Sequence, residues 1–76
     1  MKYIVLKNTY INGDAIRVGY GIAAVEAYDG VTTVLESIDD ISPDIAPVER
    51  LVELCNLHKL EVVHLKDVVD DFLVTL

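Results

Sequence analysis

Cysteine is nearly absent from this chain. Cys55 is the only one among 76 residues, so no disulfide can form within the chain. A lone thiol is typical of the cytoplasm, because small secreted domains use paired cysteines as cross-links. Met1-Lys2 leads straight into strand-like sequence, without the basic and apolar regions of a signal peptide. The sequence therefore predicts a cytoplasmic protein.

Basic residues and long apolar runs are scarce as well. Six Lys and Arg residues stand against thirteen Asp and Glu residues, which gives a net charge of −7. Nucleic-acid backbones and anionic membrane surfaces attract clustered Lys and Arg, so we expect neither as a partner. The longest uncharged stretch, residues 18–25, is too short to cross a bilayer, which needs about 20 apolar residues.

Two glycine-containing dipeptides separate three runs of β-branched and aromatic residues. Asn12-Gly13 and Asp29-Gly30 are preferred in two-residue type I′ turns, which need positive φ at both central positions. The sequence thus predicts an antiparallel meander with strands at residues 3–11, 15–28 and 31–38.

Two-residue turns would also fix the strand pairing and the two sheet faces. The expected pairs are Ile11–Asp14, Val5–Tyr20, Tyr28–Val31 and Ala24–Leu35. One face then carries Tyr3, Val5, Val18, Tyr20, Ile22, Ala24 and Leu35. The other carries Ile4, Leu6, Gly19, Gly21, Ala23, Val25, Val34 and Ile38. A one-sided antiparallel sheet alternates apolar and polar residues, whereas both faces here are apolar near the middle. Either the sheet tolerates some exposed Val and Ile, or helices cover one face and a second subunit covers the other. Which face the helices cover stays open.

Helical periodicity follows in the second half of the chain. The first helix is predicted to begin at Asp44 or Ala46, because Pro47 lacks an N–H and belongs in the first turn. It ends within residues 56–59, and residues 60–63 form an extended connector. The second helix runs from about His64 to the C-terminus. The two apolar stripes are Val48, Leu51, Val52 and Cys55, then Leu65, Val68, Val69, Phe72 and Leu76. The predicted fold is one α+β domain over residues 1–76, of order βββαα, with both helices on one sheet face.

Three segments carry a resemblance to a known family. They are Tyr20-Gly21-Ile22, Leu51-Val52-Glu53-Leu54-Cys55-Asn56 and His64-Leu65-Lys66-Asp67-Val68-Val69-Asp70-Asp71-Phe72-Leu73. Over roughly residues 20–73 the chain resembles a small family of short acidic proteins of unknown function from anaerobic Gram-positive bacteria. The resemblance implies a cytoplasmic bacterial protein and supports the helix placement. It implies no activity.

The candidate metal and catalytic residues form weak patterns. Cys55, His58, His64 and Asp67 match no standard zinc spacing, and structural zinc usually takes more than one cysteine. A nucleophilic Cys55 with His58 as base would need electropositive surroundings, which an acidic chain does not favour. The segment 39–44 lacks the Asp-x-Asp-x-Asp-Gly pattern of a calcium loop. We therefore expect no metal, no cofactor and no catalytic residue.

Two further features concern surfaces. Gly19 and Gly21 lie within a strand, not between a strand and a helix as phosphate-binding loops require. They point to one face and predict the close approach of a helix or a partner backbone. Asp67, Asp70 and Asp71 crowd the last helix and form either a solvated face or a docking surface for a basic partner.

The apolar content favours self-association. Hydrophobic residues make up 53% of the chain, and a domain this small buries only roughly 60% of its unfolded surface. We therefore predict a non-enzymatic, self-associating protein–protein interaction module. Its candidate interface residues are Ile4, Leu6, Val25, Val34 and Ile38. The alternative is an acidic inhibitor or nucleic-acid mimic that binds a basic partner protein through Asp67, Asp70 and Asp71.

Overall fold

The computed structural model describes residues 1–75 and confirms the predicted α+β order βββαα. Its elements are β1 (Lys2–Asn12), β2 (Ala15–Tyr28), β3 (Val31–Ser42), α1 (Ile45–Leu57), a 3-10 turn (Val62–His64) and α2 (Leu65–Val74). The strands form one antiparallel sheet in the order β1-β2-β3. The predicted extended connector is wrong, because part of it forms the 3-10 turn. None of the described helices is long and apolar enough to cross a membrane.

The first hairpin turns one residue later than predicted. Asn12 still belongs to β1 and pairs with Ala15, so Gly13 and Asp14 are the two central turn residues. Gly13 has φ 63°, whereas Asp14 is not among the residues with positive φ. Positive φ at the first central position alone is the pattern of a type II′ turn, in which glycine stands first. The predicted pair of Ile11 with Asp14 is therefore wrong.

The later turn shifts the strand partners by two residues but leaves the faces unchanged. Val5 lies opposite Ile22 rather than Tyr20. Because side chains alternate with a period of two, an even shift keeps each of them on its predicted face. The β1–β2 face assignment from the sequence is thus confirmed although the pairing is not.

The second hairpin begins as predicted. Tyr28 pairs with Val31 across Asp29 and Gly30, which have φ 52° and 76°. Positive φ at both central residues is the requirement of a type I′ turn. The turn chemistry of this dipeptide therefore fixes the local register.

A β-bulge then breaks that register. Val25 pairs with Val34, but Ala24 pairs with Glu36, so Leu35 has no partner on β2. The predicted pair of Ala24 with Leu35 is wrong for this reason. One extra residue in a strand moves every later side chain to the opposite face.

Ile38 changes face because of this bulge. It lies opposite Ile22, a fully buried core residue, and packs against the helix-side core. Its predicted place on the face opposite the helices is therefore corrected.

A second irregularity brings β3 across β2. Between the pair Ile22–Ile38 and the pair Tyr20–Ser42, two residue steps on β2 correspond to four on β3. A Cβ atom on Gly21 would overlap the carbonyl oxygen of Ile38 and lie 2.9 Å from the Cα of Asp39. The mid-strand glycine does mark a close approach, but the approaching backbone is β3 of the same chain rather than a helix or a partner.

The helices cover the sheet face that carries Tyr3, Ile22 and Ala24. α1 lies over β1 and β2, and α2 lies toward β3. The predicted apolar stripes of both helices face this core, and Leu76 lies outside the described residues. The buried cluster comprises Tyr3, Ile22, Ala24, Ile41, Val48, Leu51, Val52, Cys55, Leu65 and Val69.

Asn56 ties the end of α1 to the edge strand. Its side-chain Oδ1 accepts a hydrogen bond from the Tyr3 backbone N–H at 2.8 Å, and its Nδ2 donates to the Tyr3 carbonyl oxygen at 2.9 Å. The Tyr3 hydroxyl donates to the Leu60 carbonyl at 2.7 Å. The amide of Asn56 thus takes the place of a neighbouring strand at one residue of β1, which holds α1 in position on the sheet.

Candidate interaction surfaces

The sheet face opposite the helices has no second layer within residues 1–75. We call it the open face, and strand pairing defines its members. They include Lys2, Ile4, Leu6, Ala23, Val25, Ala27, Thr32 and Val34. A shallow depression of about 400 Å³ on this face is lined by Met1, Lys2, Val25, Ala27 and Thr32. The open face is thus a mixed surface with an apolar centre and one lysine at its end.

Four of the five predicted interface residues lie on the open face. Val34 is 57% exposed, Ile4 and Leu6 are half-buried, and Val25 is buried. No helix covers this face in the described residues, and Met1 and Lys2 line the depression beside Val25. Ile38 does not belong to this set, since it packs under the helices.

A polar cluster closes one end of the open face. Arg17 forms an ion pair with Asp40 at 2.8 Å and lies over the Tyr10 ring, 4.8 Å from its centre. The backbone N–H of Asp40 donates to Asn8 Oδ1 at 3.3 Å. Asp40 has φ 54°, a left-handed conformation that aspartate tolerates better than most residues. The cluster holds β3 across β2 and confines the apolar part of the open face to the opposite end.

The acidic side chains of α2 lie on the surface. Asp67, Asp70 and Asp71 are all exposed, as the sequence analysis assumed for a solvated or docking face. Asp67 stands in the first turn of α2, where the helix dipole favours a negative charge. Within residues 1–75 the one ion pair joins Arg17 to Asp40, so none of these three carboxylates forms an ion pair there.

An apolar groove separates the two helices on their outer side. We call it the interhelix groove, and its volume is about 360 Å³. Its lining is Leu51, Leu54, Cys55, His58, Leu60, Val68, Asp71, Phe72 and Thr75. The sequence alone did not predict this site. Leu54 offered a signal, because it follows Leu51 by three residues and widens the apolar stripe, yet it is 52% exposed.

Of the residues weighed for metal or catalysis, Cys55 and His58 both line the interhelix groove, whereas His64 and Asp67 are not part of its lining. Cys55 is buried, whereas His58, His64 and Asp67 are exposed. No group of three or more His, Cys, Asp or Glu side chains in the described part of the chain could hold a metal ion.

The thiol itself is poorly suited to nucleophilic chemistry. Burial raises the pKa of Cys55, so less of it is thiolate at neutral pH. The pKa of Tyr3 is also raised, first by burial and then by the neighbouring Cys55. Both groups therefore favour their neutral forms in the folded chain.

Sequence comparison extends the resemblance noted for residues 20–73. A model described as a family of unknown function, DUF6514, matches residues 1–75 and so includes β1. No curated protein and no solved structure matches the chain.

Proposed function

The chain belongs to the DUF6514 family, whose function is unknown, and we propose that it is a non-enzymatic interaction module that self-associates through its open face. The observation that carries this proposal is that no helix covers the open face within residues 1–75 and that Val34 stays exposed there. We place the protein in the cytoplasm, because its single cysteine is typical of a reducing compartment.

Side-chain exposure supports the open face as the contact surface. Val34 is 57% exposed, and it lies beside buried Val25 and near half-buried Ile4. A second copy laid on this face would remove the exposed apolar atoms of Val34 and Ile4 from water, which stabilises an interface by roughly 25 cal/mol per Å² of apolar area. A small domain gains from such a partner because its own core contributes only about 3–5 kcal/mol.

The chemistry of the candidate nucleophile supports a non-enzymatic role. Cys55 is buried with a raised pKa, whereas reactive cysteines are exposed and electropositive. Histidines and acids gather into no metal-binding group among the described residues. We therefore expect this chain to act by binding a partner through its surface rather than through a reactive centre.

Light scattering coupled to size exclusion tests the self-association. We expect at least a dimer mass for the wild type at micromolar concentration, and a monomer for Val34→Glu. Val31→Glu is the matched control, because Val31 is 62% exposed on the same strand but on the opposite face. It should keep the wild-type mass.

Two results would contradict the proposal. A monomeric wild type across the concentration range would remove self-association outright. Equal loss of the dimer in Val34→Glu and Val31→Glu would show that the open face is not the contact surface.

A second candidate function rests on the unpaired acids of α2. Asp67, Asp70 and Asp71 are exposed, and none of them forms an ion pair in the described residues. They suit the docking of a basic partner protein, as an acidic inhibitor or nucleic-acid mimic would. Such a complex should weaken steeply as salt rises, whereas apolar self-association should not.

A further inference from the structure

The interhelix groove is an apolar site flanked by acid. Its lining combines Leu51, Leu54 and Leu60 with Val68 and Phe72, and Cys55 also contributes. Asp71 lines the groove from α2, and Asp67 lies one turn earlier on the same side of that helix. Asp71 is the one acidic residue of this lining, and we call it, together with neighbouring Asp67, the acidic wall. The apolar lining and this wall define what kind of surface would fit.

The length of the groove matches two turns of a helix. On α1 its lining extends from Leu51 to His58, and on α2 from Val68 to Thr75. Seven residue steps of α-helix are about 10 Å, or two turns. Two turns of a partner helix present apolar anchors at positions i, i+3 or i+4, and i+7, the spacing read by helix-binding grooves.

Charge decides between a second copy and a different partner. A second copy of this chain brings the same net charge of −7 and the same carboxylates to the contact. A helix with lysine or arginine along one flank instead places cations beside Asp67 and Asp71. The acidic wall therefore favours a basic occupant over self-association at this site.

We propose that the interhelix groove binds a basic amphipathic helix of a partner protein. The inference rests on the proposed role as an interaction module, but it does not need self-association. The groove lies on the helix side of the sheet and the open face on the other side, so both can be occupied at once.

The probe is a fluorescein-labelled synthetic helix with leucines at i, i+3 and i+7 and lysines along one flank, titrated with the full chain. Fluorescence anisotropy should report binding that weakens as salt rises. A matched peptide with glutamate in place of lysine should not bind. The Val34→Glu chain should bind the basic peptide as the wild type does, which separates this test from the self-association test.

Matched variants localise the site. Asp71→Lys should weaken binding about three- to tenfold, the range that reversing one exposed charge contact provides. Asp70→Lys should weaken it clearly less, because Asp70 does not line the groove. Leu54→Asp should weaken binding about tenfold or more, because it places a charge on the apolar wall. Leu57→Asp is its control, since Leu57 is 74% exposed, three residues further along α1 and outside the lining.

Three outcomes would overturn the inference. Absence of binding by the basic peptide is one. Equal weakening by Asp71→Lys and Asp70→Lys would show non-specific attraction to the acidic surface. The third is that an apolar dye binds the wild type but not Leu54→Asp, while the peptide does not bind. That result would make the groove a small-molecule site.

Discussion

Gly21→Ala should destabilise the protein far more than Gly19→Ala, because the two glycines face different kinds of obstacle. A Cβ on Gly21 would overlap the Ile38 carbonyl oxygen and come within 2.9 Å of the Asp39 Cα. Both obstacles are backbone atoms of β3, which a change of rotamer cannot move. A Cβ on Gly19 would instead meet the Asp40 carboxylate, the end of a flexible side chain, and lie 3.6 Å from its Cα.

The magnitudes follow from these contacts. Forcing β3 outward at Gly21 is an overpacking event, which costs about 1–3 kcal/mol, and here it also strains the adjacent Ile22–Ile38 pair. Replacing a strand glycine by alanine returns about 0.5–1 kcal/mol of backbone entropy. We expect a net loss of about 1–2 kcal/mol for Gly21→Ala, a large part of the roughly 3–5 kcal/mol that a core of this size provides.

For Gly19→Ala the loss of an ion pair and the gain in backbone entropy nearly cancel. The Asp40 side chain swings away and loses its exposed ion pair with Arg17, worth about 0.2–1 kcal/mol. The entropy gain of about 0.5–1 kcal/mol offsets that loss. We expect the free energy of unfolding to stay within about 0.5 kcal/mol of the wild type.

Urea unfolding followed by far-UV circular dichroism measures both variants. The midpoint should fall for Gly21→Ala with an unchanged m-value, which indicates a change in stability rather than in the compactness of either state. Adding Asp40→Gly to Gly19→Ala removes the carboxylate that the new Cβ would meet and serves as the control. A Gly21→Ala chain as stable as the wild type would refute the crossing of β3 over β2.

Four further predictions concern the Asn56 hydrogen bonds to Tyr3, the Cys55 thiol, the acidic side chains of α2 and metal binding. Asn56→Ala should lower the free energy of unfolding by about 1 kcal/mol, because its two part-buried hydrogen bonds to Tyr3 are lost. The higher helix propensity of alanine returns part of that loss. An unchanged urea midpoint would show that these two hydrogen bonds do not hold α1 on the sheet. Burial raises the pKa of Cys55 in the folded chain. The neutral thiol therefore contributes its full stabilisation below the pKa of an unfolded cysteine, about 8.5. That contribution is lost as the pH rises from there through the pKa of the folded state. Stability should therefore fall above about pH 8.5, and less so in Cys55→Ala; Tyr3, also raised, adds a loss at higher pH. Asp71→Lys should leave stability unchanged or raise it by a few tenths of a kcal/mol, since it removes an i,i+4 repulsion with Asp67; unfolding of this variant would show a buried role for Asp71. Thermal melts with and without a strong chelator should coincide, and a drop of many degrees would reveal an essential metal.

Predictions that rest on local chemistry agree with the structure. Asp29-Gly30 forms the expected turn, because positive φ at both positions is a property of those two residues and their neighbours. Pro47 lies in the first turn of α1, since its missing N–H excludes it from positions further along. The apolar stripes of both helices face the core, because helical spacing alone places them on one side.

The prediction of the first hairpin agrees less well with the structure, because two neighbouring dipeptides could each form its turn. Asn12-Gly13 and Gly13-Asp14 both offer a glycine to a two-residue turn, one as type I′ and the other as type II′. The pairing of β1 with β2 selects the second. The sheet faces survive this error because the shift is even, which is why four of five open-face residues were placed correctly.

What the sequence by itself determined is the set of elements, their order and the apolar side of each helix, because these depend on φ preferences and periodicity within a few residues. Only the tertiary structure decided which sheet face the helices cover, how β3 bulges and crosses β2, and where Ile38 lies. These features depend on contacts between residues far apart in the chain, as when Gly21 admits the backbone of Ile38. The interhelix groove belongs to the same class, since it exists only where Leu54 of α1 and Phe72 of α2 are brought to opposite walls of one space.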